Sequence, residues 1–472
     1  MSEHPQPGAA VGTGTAAAAD AAAVPQRKML AAGMIASSIE WYDFFIFATA
    51  AALVFGDLFF PGASPLTGVL LSFGTFWAGF VARPIGGLVF GHIGDRIGRK
   101  PAVVICLIIM GSSTFLIGLL PTSQTIGVAA PILLVLLRFL QGIAVGGQWG
   151  GIVLLLTESA PPRRKGLAGT FGQMGVPLGV ILGNVVFLIV TATTSEGFFH
   201  SWGWRIPFLA SALLAPVVLF IQLRVEDTPE FRELEKRAER STEKIAQAPL
   251  REVLRHHKRP VLLGCGLLFA TNAIFHACVS GLLDYANRTL GVERGPLLIT
   301  TLVAAGVMVL VVLFSGHLSD RVGRRPLILV GSGLVVLWAF PLFWLVDTAS
   351  LPLIAVASTV GLIGSGLTYG PLAAYLAELF DARIRYSGAS LAYQLAAILV
   401  SGATPFVMTG LLAATGSSAS VSGFLALMGL ITFGCAWVLR ETAPAVTDRT
   451  ERTERTDATA PAPVRAPEDV PL

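Results

Sequence analysis

Long apolar stretches alternate with short polar segments along most of this chain. About twelve of these stretches reach the roughly 20 residues that a helix needs to cross a hydrocarbon core about 30 Å thick. Their glycine and proline content, without a strict two-residue alternation, favours helices over the strands of a membrane barrel. The predicted spans start near residues 33, 67, 102, 131, 166, 204, 261, 296, 327, 352, 387 and 420.

The composition supports a membrane protein. Hydrophobic residues make up 54% of the chain and charged residues only 13%, whereas an ordinary soluble domain has about 25% charged residues. The four cysteines lie inside apolar spans without the spacing of a metal site, so neither a disulfide nor a bound metal is predicted. The sequence therefore predicts an all-α protein whose surroundings are the lipid bilayer.

Lysine and arginine are concentrated in alternate loops, those that follow the second, fourth, sixth, eighth and tenth spans. By the positive-inside rule these loops face the cytoplasm. An even number of spans then places both termini in the cytoplasm, and we predict a multi-pass protein of the plasma (inner) membrane. The basic loops also account for the net charge of +4, so no nucleic-acid partner is predicted.

A repeated loop divides the chain into two halves. The segment "GHIGDRIGRKP" at residues 91–101 recurs as "GHLSDRVGRRP" at residues 316–326, after the second span of each half. This repeat predicts two pseudo-symmetric six-helix bundles. The predicted boundaries are a disordered cytoplasmic tail at 1–28, bundles at 29–223 and 261–441, a charged cytoplasmic linker at 224–260, and a second disordered cytoplasmic tail at 442–472.

Several ordered motifs resemble the major facilitator superfamily, beginning with the repeated loop. Within it, "IEWYDFFIF", "RFLQGIAVGGQWGG", "SWGWRIPF" and "DTPEF" resemble the metabolite:proton symporter branch, which includes carriers of proline and betaine, alpha-ketoglutarate and shikimate. The resemblance implies a fold of twelve transmembrane helices in two bundles. It also implies a secondary transporter with a central cavity that the first helix helps to line.

Three charged residues lie where the pattern predicts buried helix. Glu40 and Asp43 are three residues apart in the first span and share a helical face. A charge at a helix centre costs about 2.5 to 3.5 kcal/mol, so neither these two acids nor Arg83, the third charge, is expected to face lipid. Arg83 in the second span reaches the depth of Glu40, and we predict a structural charge that pairs with it. Asp43 lies deeper in the span. Its role is either that of a proton carrier or substrate contact, or that of a structural hydrogen-bonding group.

Two further residues are candidates for proton coupling, together with Asp43 and Glu40. Arg138 in the fourth span suits the binding of a carboxylate, and in the superfamily an arginine in this motif is linked to coupling. His276 in the seventh span titrates near neutrality, although a lone histidine among apolar residues is more often a core group.

Neutral hydrogen-bonding and aromatic side chains are the candidates for the substrate cavity. The branch usually has Glu after the paired glycines of the fourth span, where this chain has Gln148. Glutamine releases no proton at physiological pH, which puts in doubt any coupling that depends on Glu at that position. The candidates are Tyr42, Gln148, Trp149, Gln173, Asn272, Tyr369, Tyr393 and Gln394.

The repeated loops carry charges that can pair across the bundles or meet a helix end. One interpretation is a conformational latch, which the resemblance supports because the family's loop is associated with a closed cytoplasmic side. The other is that these charges only set the topology. The gating candidates are Asp95, Arg96, Arg99, Asp320, Arg321 and Arg324.

Glycines spaced four residues apart predict close helix contacts. They are Gly142, Gly146 and Gly150 in the fourth span, and Gly175, Gly179 and Gly183 in the fifth.

The functional prediction is a monomeric secondary transporter that works by alternating access. The sequence has no phosphate-binding loop, so neither ATP drive nor a cofactor is predicted. Nor does it have a catalytic constellation, so an enzyme is not predicted. We predict proton-coupled uptake of a small polar metabolite, an organic acid such as a shikimate-like or dicarboxylate compound. The alternative is an uncoupled facilitator or exporter of a zwitterionic or other small solute.

Overall fold

The computed structural model describes residues 14–97, 99–146, 157, 160–214, 216, 257–381, 384–444 and 446–447. The gating candidates Asp95, Arg96 and Arg99, the cavity candidates Gln148 and Trp149, and most of the predicted linker lie outside the residues whose side chains are described. Within the described part, helices and short connections make up the whole structure, and no strand is present there.

The N-terminal half contains six helices, α1 to α6. Helix α5 has a break at Met174, and α6 follows a short 3₁₀ turn at Gly203–Arg205. The bounds are α1 Gly14–Leu53, α2 Pro65–Ile97, α3 Arg99–Leu119, α4 Ala129–Gly146, α5 Lys165–Gln173 and Gly175–Thr193, and α6 from residue 206 to 214.

The C-terminal half contains helices α7 to α12. Two of them include π-helical turns, at Ala277–Gly281 and Tyr285–Thr289 in α7 and at Ala397–Ser401 in α11. Such turns leave the regular hydrogen-bond ladder and are frequent at functional sites. The bounds are α7 Lys258–Thr289, α8 Arg294–Val322, α9 Arg324–Val346, α10 Leu351–Leu379, α11 Arg385–Ala396 continuing to Ala403–Thr415, and α12 Ser418–Val438.

The twelve helices match the twelve predicted spans, and the fold prediction is confirmed. Nine of the described helices are long and apolar enough to cross a membrane by length and composition, and Val104–Leu119 in α3 is a shorter apolar helix. The first helix differs because it carries Glu40 and Asp43 within its apolar run. The chain therefore folds as an all-α membrane protein of two six-helix bundles.

Both predicted tails contain ordered residues where the sequence predicted disorder. Helix α1 starts at Gly14, so residues 14–28 are helical where the sequence predicted disorder; their alanine-rich composition has a high helix propensity. At the other end, the Thr442 hydroxyl donates a 2.6 Å hydrogen bond to Glu378, and Ala443 is fully buried. The first residues of the C-terminal tail therefore pack against the bundle, and residues 448–472 lie outside the described part.

Glycines hold α2 and α4 in close contact, as their spacing predicts. A Cβ atom at Gly142 would overlap the carbonyl oxygen of Gly79, and one at Gly146 would overlap that of Arg83. Helices α1 and α5 meet in the same way, because a Cβ atom at Gly175 would overlap Ser37. These contacts bring two pairs of helices together and position the buried charges of the N-terminal half.

We expect Gly142→Ala to lower the melting temperature of the purified protein in detergent. The new methyl group would force α2 and α4 apart, and overpacking of this kind costs about 1 to 3 kcal/mol. Gly306→Ala in α8 is the matched control, because its Cβ atom would meet nothing within 4 Å and alanine favours helix. Equal melting temperatures for the two variants would contradict the close contact of α2 with α4.

Candidate functional site

A small cavity lies between the two halves of the molecule. The N-terminal half contributes aromatic rings and one cation, whereas the C-terminal half contributes mainly neutral polar groups. The lining residues are Trp41, Phe45, Phe80, Arg83 and Val176 from α1, α2 and α5, and Thr271, Asn272, Phe275, His276, Met308, Ser365, Tyr369, Tyr393 and Ser401 from α7, α8, α10 and α11.

Arg83 is the cation of the cavity wall, and it is only 2% exposed. Its guanidinium lies over aromatic rings, 4.4 Å from the centroid of Phe80, 4.8 Å from that of Phe44 and 5.4 Å from that of Trp41. Within the described part of the chain, its Nε and Nη2 atoms have no hydrogen-bond partner. Two donor atoms of this buried arginine thus lack a hydrogen-bond partner among the described residues.

The predicted pairing of Arg83 with Glu40 is found only as an attraction between their charges at a distance. Among the residues that the structure describes, no salt bridge joins the two side chains, and Glu40 is not part of the cavity wall. Depth along a helix does not define the direction in which a side chain points. Arg83, which the sequence suggested as a structural charge, lines the cavity instead.

Tyrosines from the C-terminal half lie close to Arg83. The hydroxyl groups of Tyr369 and Tyr393 hydrogen-bond to each other, and both are close enough to Arg83 to interact with its charge. The Gln173 amide donates a 3.3 Å hydrogen bond to the Tyr369 carbonyl oxygen and so joins the two halves beside the cavity. The cavity therefore contains one cation with two tyrosine hydroxyl groups nearby.

Asp43 lies behind the cavity wall, inside the N-terminal half, and is 4% exposed. Its carboxyl group lies beside the side chain of Thr114 on α3 and interacts with it. Its Oδ1 atom has no partner in the described part of the chain. Asp43 is thus a buried acid in the same half as Arg83, but separate from the cavity surface.

Arg138 on α4 is fully buried close to Asp43, and the two charges interact. Its Nη1 atom donates a 2.5 Å hydrogen bond to Gln141, whose amide donates a 2.8 Å hydrogen bond to the Thr114 hydroxyl. A chain of hydrogen bonds therefore extends from Arg138 through Gln141 to Thr114, whose side chain lies beside Asp43. The Nε and Nη2 atoms of Arg138 have no partner among the described residues.

Aromatic rings surround the Arg138 guanidinium in place of a carboxylate. The ring centroids of Phe44, Phe47 and Phe76 lie 4.1, 4.3 and 5.0 Å from its central carbon. A desolvated cation over an aromatic face gains about 2 kcal/mol or more. These rings offset part of the cost of burying the charge.

His276 also lines the cavity, enclosed by aromatic side chains. Its ring centroid lies 5.2 Å from that of Phe275, 5.8 Å from that of Phe80 and 6.0 Å from that of Phe76. Its Nδ1 atom has no hydrogen-bond partner in the described structure. The position fits a cavity group, and a role in coupling stays a prediction.

Contacts between the two halves close one face of the molecule, where α8 and α10 end and α5 begins; we call it the loop face. The Asp320 carboxylate accepts 2.9 Å hydrogen bonds from the backbone amides of Gly166 and Leu167, in the first turn of α5. Arg324 donates a 2.7 Å hydrogen bond to the same carboxylate and lies 3.5 Å from Glu378. Asp320 thus meets a helix terminus of the other half, one of the two contacts that the sequence predicted.

A second set of contacts joins the halves on the opposite face. Arg294, at the start of α8, lies 3.2 Å from Glu196 and 3.3 Å from His200. Both partners belong to a short helix, Glu196–Ser201, that follows α5. Charged contacts therefore bridge the two halves on both faces, with the cavity between them.

A family model provides the identification. The model described as "Sugar (and other) transporter" matches residues 29–443. The chain belongs to this family of transporters. It is therefore a transporter and not an enzyme, an integral multi-pass membrane protein of the major facilitator superfamily, and the predicted resemblance is confirmed.

Three curated relatives of this transporter come from Escherichia coli K12. The inner membrane metabolite transport protein YhjE is 39% identical, over 88% of this chain and 94% of that protein. The shikimate transporter is 36% identical, over 86% and 93%, and the proline/betaine transporter is 32% identical, over 88% and 84%. The transporter therefore moves small metabolites.

Solved structures show the same fold. A crystal structure of the D-xylose-proton symporter superposes with a TM-score of 0.68 at 18% identity, and it covers 89% of this chain and 98% of that one. A partially occluded, inward-open structure of the xylose transporter XylE from E. coli gives a TM-score of 0.67 at 17% identity, covering 88% and 98%.

Some predicted residues of the transporter lie away from the cavity. The Tyr42 hydroxyl donates a 2.7 Å hydrogen bond to the Pro207 carbonyl oxygen, which is a packing role inside the N-terminal half. Gln394 is buried next to Tyr393 but is not part of the cavity wall, and Arg321 is exposed on the loop face. By contrast, Asn272, His276, Tyr369 and Tyr393 all line the cavity.

Sequence reasoning missed four polar or aromatic wall residues in particular. They are Thr271, Ser365, Ser401 and Phe80. The Thr271 and Ser365 hydroxyls hydrogen-bond to each other at 2.9 Å. Small hydroxyl residues in apolar helices commonly bond to the backbone of their own helix, so the sequence held no signal that separates these from the others.

We expect Asp320→Asn to open the loop face of the transporter. The neutral amide cannot accept both α5 amides and neutralise Arg324, and each 1.4 kcal/mol lost changes the open fraction about tenfold. The measurement is the rate at which a membrane-impermeant maleimide labels Ser401→Cys in the cavity, in a background without the four native cysteines. Arg321→Gln, on the same turn but exposed, is the control. Equal labelling of both variants would leave these charges with only a topological role.

Proposed function

We propose that the protein is a proton-coupled symporter that takes up a small organic acid by alternating access. The cavity lies between two similar six-helix halves, with charged contacts on either side of it. Rocking of the halves around such a central site exposes it to one side of the membrane at a time. The inward proton gradient supplies the energy.

The substrate class is inferred mainly from the surroundings of Arg83. It lines the cavity, it is almost fully buried, and no carboxylate of the described chain pairs with it. A buried guanidinium with two available donors is suited to bind a carboxylate through a pair of hydrogen bonds. The hydroxyl, amide and imidazole groups of the opposite wall suit a substrate that also carries hydroxyl groups. The 36% identical shikimate transporter supports this class.

Asp43 is the proposed proton carrier. It is buried and close to the cavity, and its carboxyl group lies beside the hydrogen-bonded chain of Thr114, Gln141 and Arg138. A carboxyl group that is both desolvated and near a cation is poised between its two protonation states, because the two influences oppose each other. Glu40 and His276 are secondary candidates.

The proposed orientation places both termini in the cytoplasm of a cell with an inner membrane, and the loop face is then the cytoplasmic face. The support is the distribution of lysine and arginine in the loops. The transporter is proposed to work as a monomer, because one chain contains both bundles and a complete cavity between them.

One feature favours a second function, an uncoupled facilitator or exporter of a zwitterion. Gln148 stands where related carriers usually have Glu, and it cannot carry a proton. The 32% identical proline/betaine transporter is a relative whose named solutes are zwitterionic. Under this alternative, Arg83 binds the carboxylate group of the zwitterion.

We expect Asp43→Asn to abolish accumulation against a gradient while counterflow exchange continues. Exchange needs substrate binding and rocking of the two halves but no net movement of protons. Accumulation needs net proton movement as well. The measurement is uptake of radiolabelled shikimate, 2-oxoglutarate, proline and betaine into proteoliposomes, with and without an inward pH gradient. Asp57→Asn is the matched control, because this aspartate, four residues beyond the end of α1, is exposed and does not line the cavity.

The same experiment separates the two proposed functions. Wild-type protein that accumulates an acid only under the pH gradient supports symport. Normal accumulation by Asp43→Asn would exclude this residue as the carrier. Wild-type protein that equilibrates a zwitterion without response to the gradient would replace symport by facilitated diffusion.

A further inference from the structure

One aromatic ring lies between the two buried arginines of the N-terminal half. The centroid of Phe44 is 4.8 Å from the guanidinium carbon of Arg83 and 4.1 Å from that of Arg138. Phe44 is 3% exposed, and the rings of Phe76 and Phe80 lie 5.0 and 4.8 Å from it. The cavity cation and the cation of the Asp43 network therefore share one side chain.

We infer that Phe44 is a positioning residue that makes binding of an anion at Arg83 and binding of a proton at Asp43 mutually favourable. The inference rests on the proposed function, because it assigns the anion to Arg83 and the proton to Asp43. It adds the element that links the two sites. Phe44 itself binds neither the substrate nor the proton.

The coupling between the two sites is electrostatic in origin. Arg83 and Arg138 carry like charges that interact in a desolvated interior, and both guanidinium groups stack on Phe44. An anion bound at Arg83 cancels part of the positive potential that stabilises the ionised Asp43 carboxylate. It therefore favours protonation of Asp43. A proton on Asp43 likewise removes a negative charge that repels an arriving anion. Each ligand therefore strengthens the binding of the other, and by linkage the two effects have the same size.

Phe44 matters for the geometry of this coupling. Arg138 has a single hydrogen bond among its described contacts, to Gln141, and otherwise rests on the faces of Phe44, Phe47 and Phe76. The ring faces hold the guanidinium without a carboxylate contact. If the Phe44 face is removed, Arg138 is less restrained and can form a direct ion pair with Asp43. That pair keeps Asp43 ionised whatever occupies Arg83.

Space for this arrangement is built into α2. A Cβ atom at Gly79 would lie 2.8 Å from the Arg138 Nε atom and 3.3 Å from its Cδ atom. Glycine at this position therefore leaves the room that the guanidinium occupies beside the rings. Residues of α1, α2 and α4 together thus define the position of the Arg138 guanidinium.

The network beyond Arg138 allows both protonation states of Asp43. The Thr114 hydroxyl donates a 2.9 Å hydrogen bond to the Met110 carbonyl oxygen and accepts one from Gln141. A protonated Asp43 can donate to the same oxygen, and after it releases its proton to water the Thr114 hydroxyl hydrogen can turn toward the carboxylate. The chain therefore needs no rearrangement of the backbone when the proton arrives or leaves.

The other ionisable groups near this cluster are few. Those whose charges interact with Asp43, Glu40, Arg83 or Arg138 in the described structure are Cys106, His276, Tyr42, Tyr369 and Tyr393. Glu40 on α1 is the additional acid, and it contributes to any pH profile independently of Phe44. A Glu40→Gln background removes this contribution.

The test measures equilibrium binding of radiolabelled shikimate and 2-oxoglutarate to the purified protein between about pH 5.5 and pH 8. We expect wild-type affinity for the bound acid to increase about tenfold toward low pH, within the usual range of coupling between sites. Phe44→Leu, which keeps apolar volume but removes the ring, should flatten this dependence to less than about twofold. Phe44→Tyr keeps the ring face and should restore the wild-type profile.

Phe73→Leu is the matched control for loss of a buried ring. Phe73 is fully buried on the same bundle, and neither arginine stacks on it in the described structure. It should keep the wild-type pH dependence, and the melting temperature of every variant reports on folding. If Phe44→Leu is too unstable to purify, Phe44→Met, with a flexible side chain of similar volume, replaces it.

The outcomes distinguish the inference from the proposed function. Wild-type protein with pH-dependent binding, and a Phe44→Leu variant with the same dependence, would overturn the inference alone. Wild-type protein that binds neither acid at any pH, or binds with no pH dependence, would overturn the proposed symport and the inference with it.

Discussion

Burial of ionisable side chains inside a helical membrane protein is the constraint on which this structure depends. Each charge at the middle of a span costs about 2.5 to 3.5 kcal/mol or more, and the N-terminal half contains Glu40, Asp43, Arg83 and Arg138. The structure does not offset this cost by direct ion pairs in its described part. It uses aromatic faces, one short hydrogen-bonded network and interaction at a distance. A charge held in this way can respond to a ligand, because no fixed partner competes for it.

The two halves consequently have different chemical roles. The N-terminal half contains the charges and the rings that hold them, and the C-terminal half contributes hydroxyl, amide and imidazole groups to the cavity. In the proposed cycle, movement of the halves changes which neutral groups face the cation, while Arg83 and Asp43 stay together within one half. Asp320 and its contacts with the first turn of α5 join the halves on the loop face. Substrate selection and proton binding are thus separated from closure of the molecule.

The fold was predictable from the sequence because its determinants are local. Span length, glycine spacing and the repeated loop each act over a few residues, and the twelve helices with the close contacts at Gly142 and Gly175 follow from them. The site was less predictable, since it depends on how each helix is rotated about its axis. Depth alone suggested that Arg83 pairs with Glu40, but the Arg83 side chain lines the cavity. Tyr42 and Gln394 do not line the cavity, whereas Asn272, predicted as a cavity residue, does.

In the proposed transport cycle, one carboxylate at Arg83 and one proton at Asp43 cross the membrane together. Such a cycle moves no net charge when the substrate is a monocarboxylate. The direct measurement is shikimate uptake into proteoliposomes under a pH gradient alone, and under a membrane potential alone set by potassium and valinomycin. We predict accumulation under the pH gradient and none under the potential. Accumulation under the potential, without response to the pH gradient, would contradict the joint movement of acid and proton.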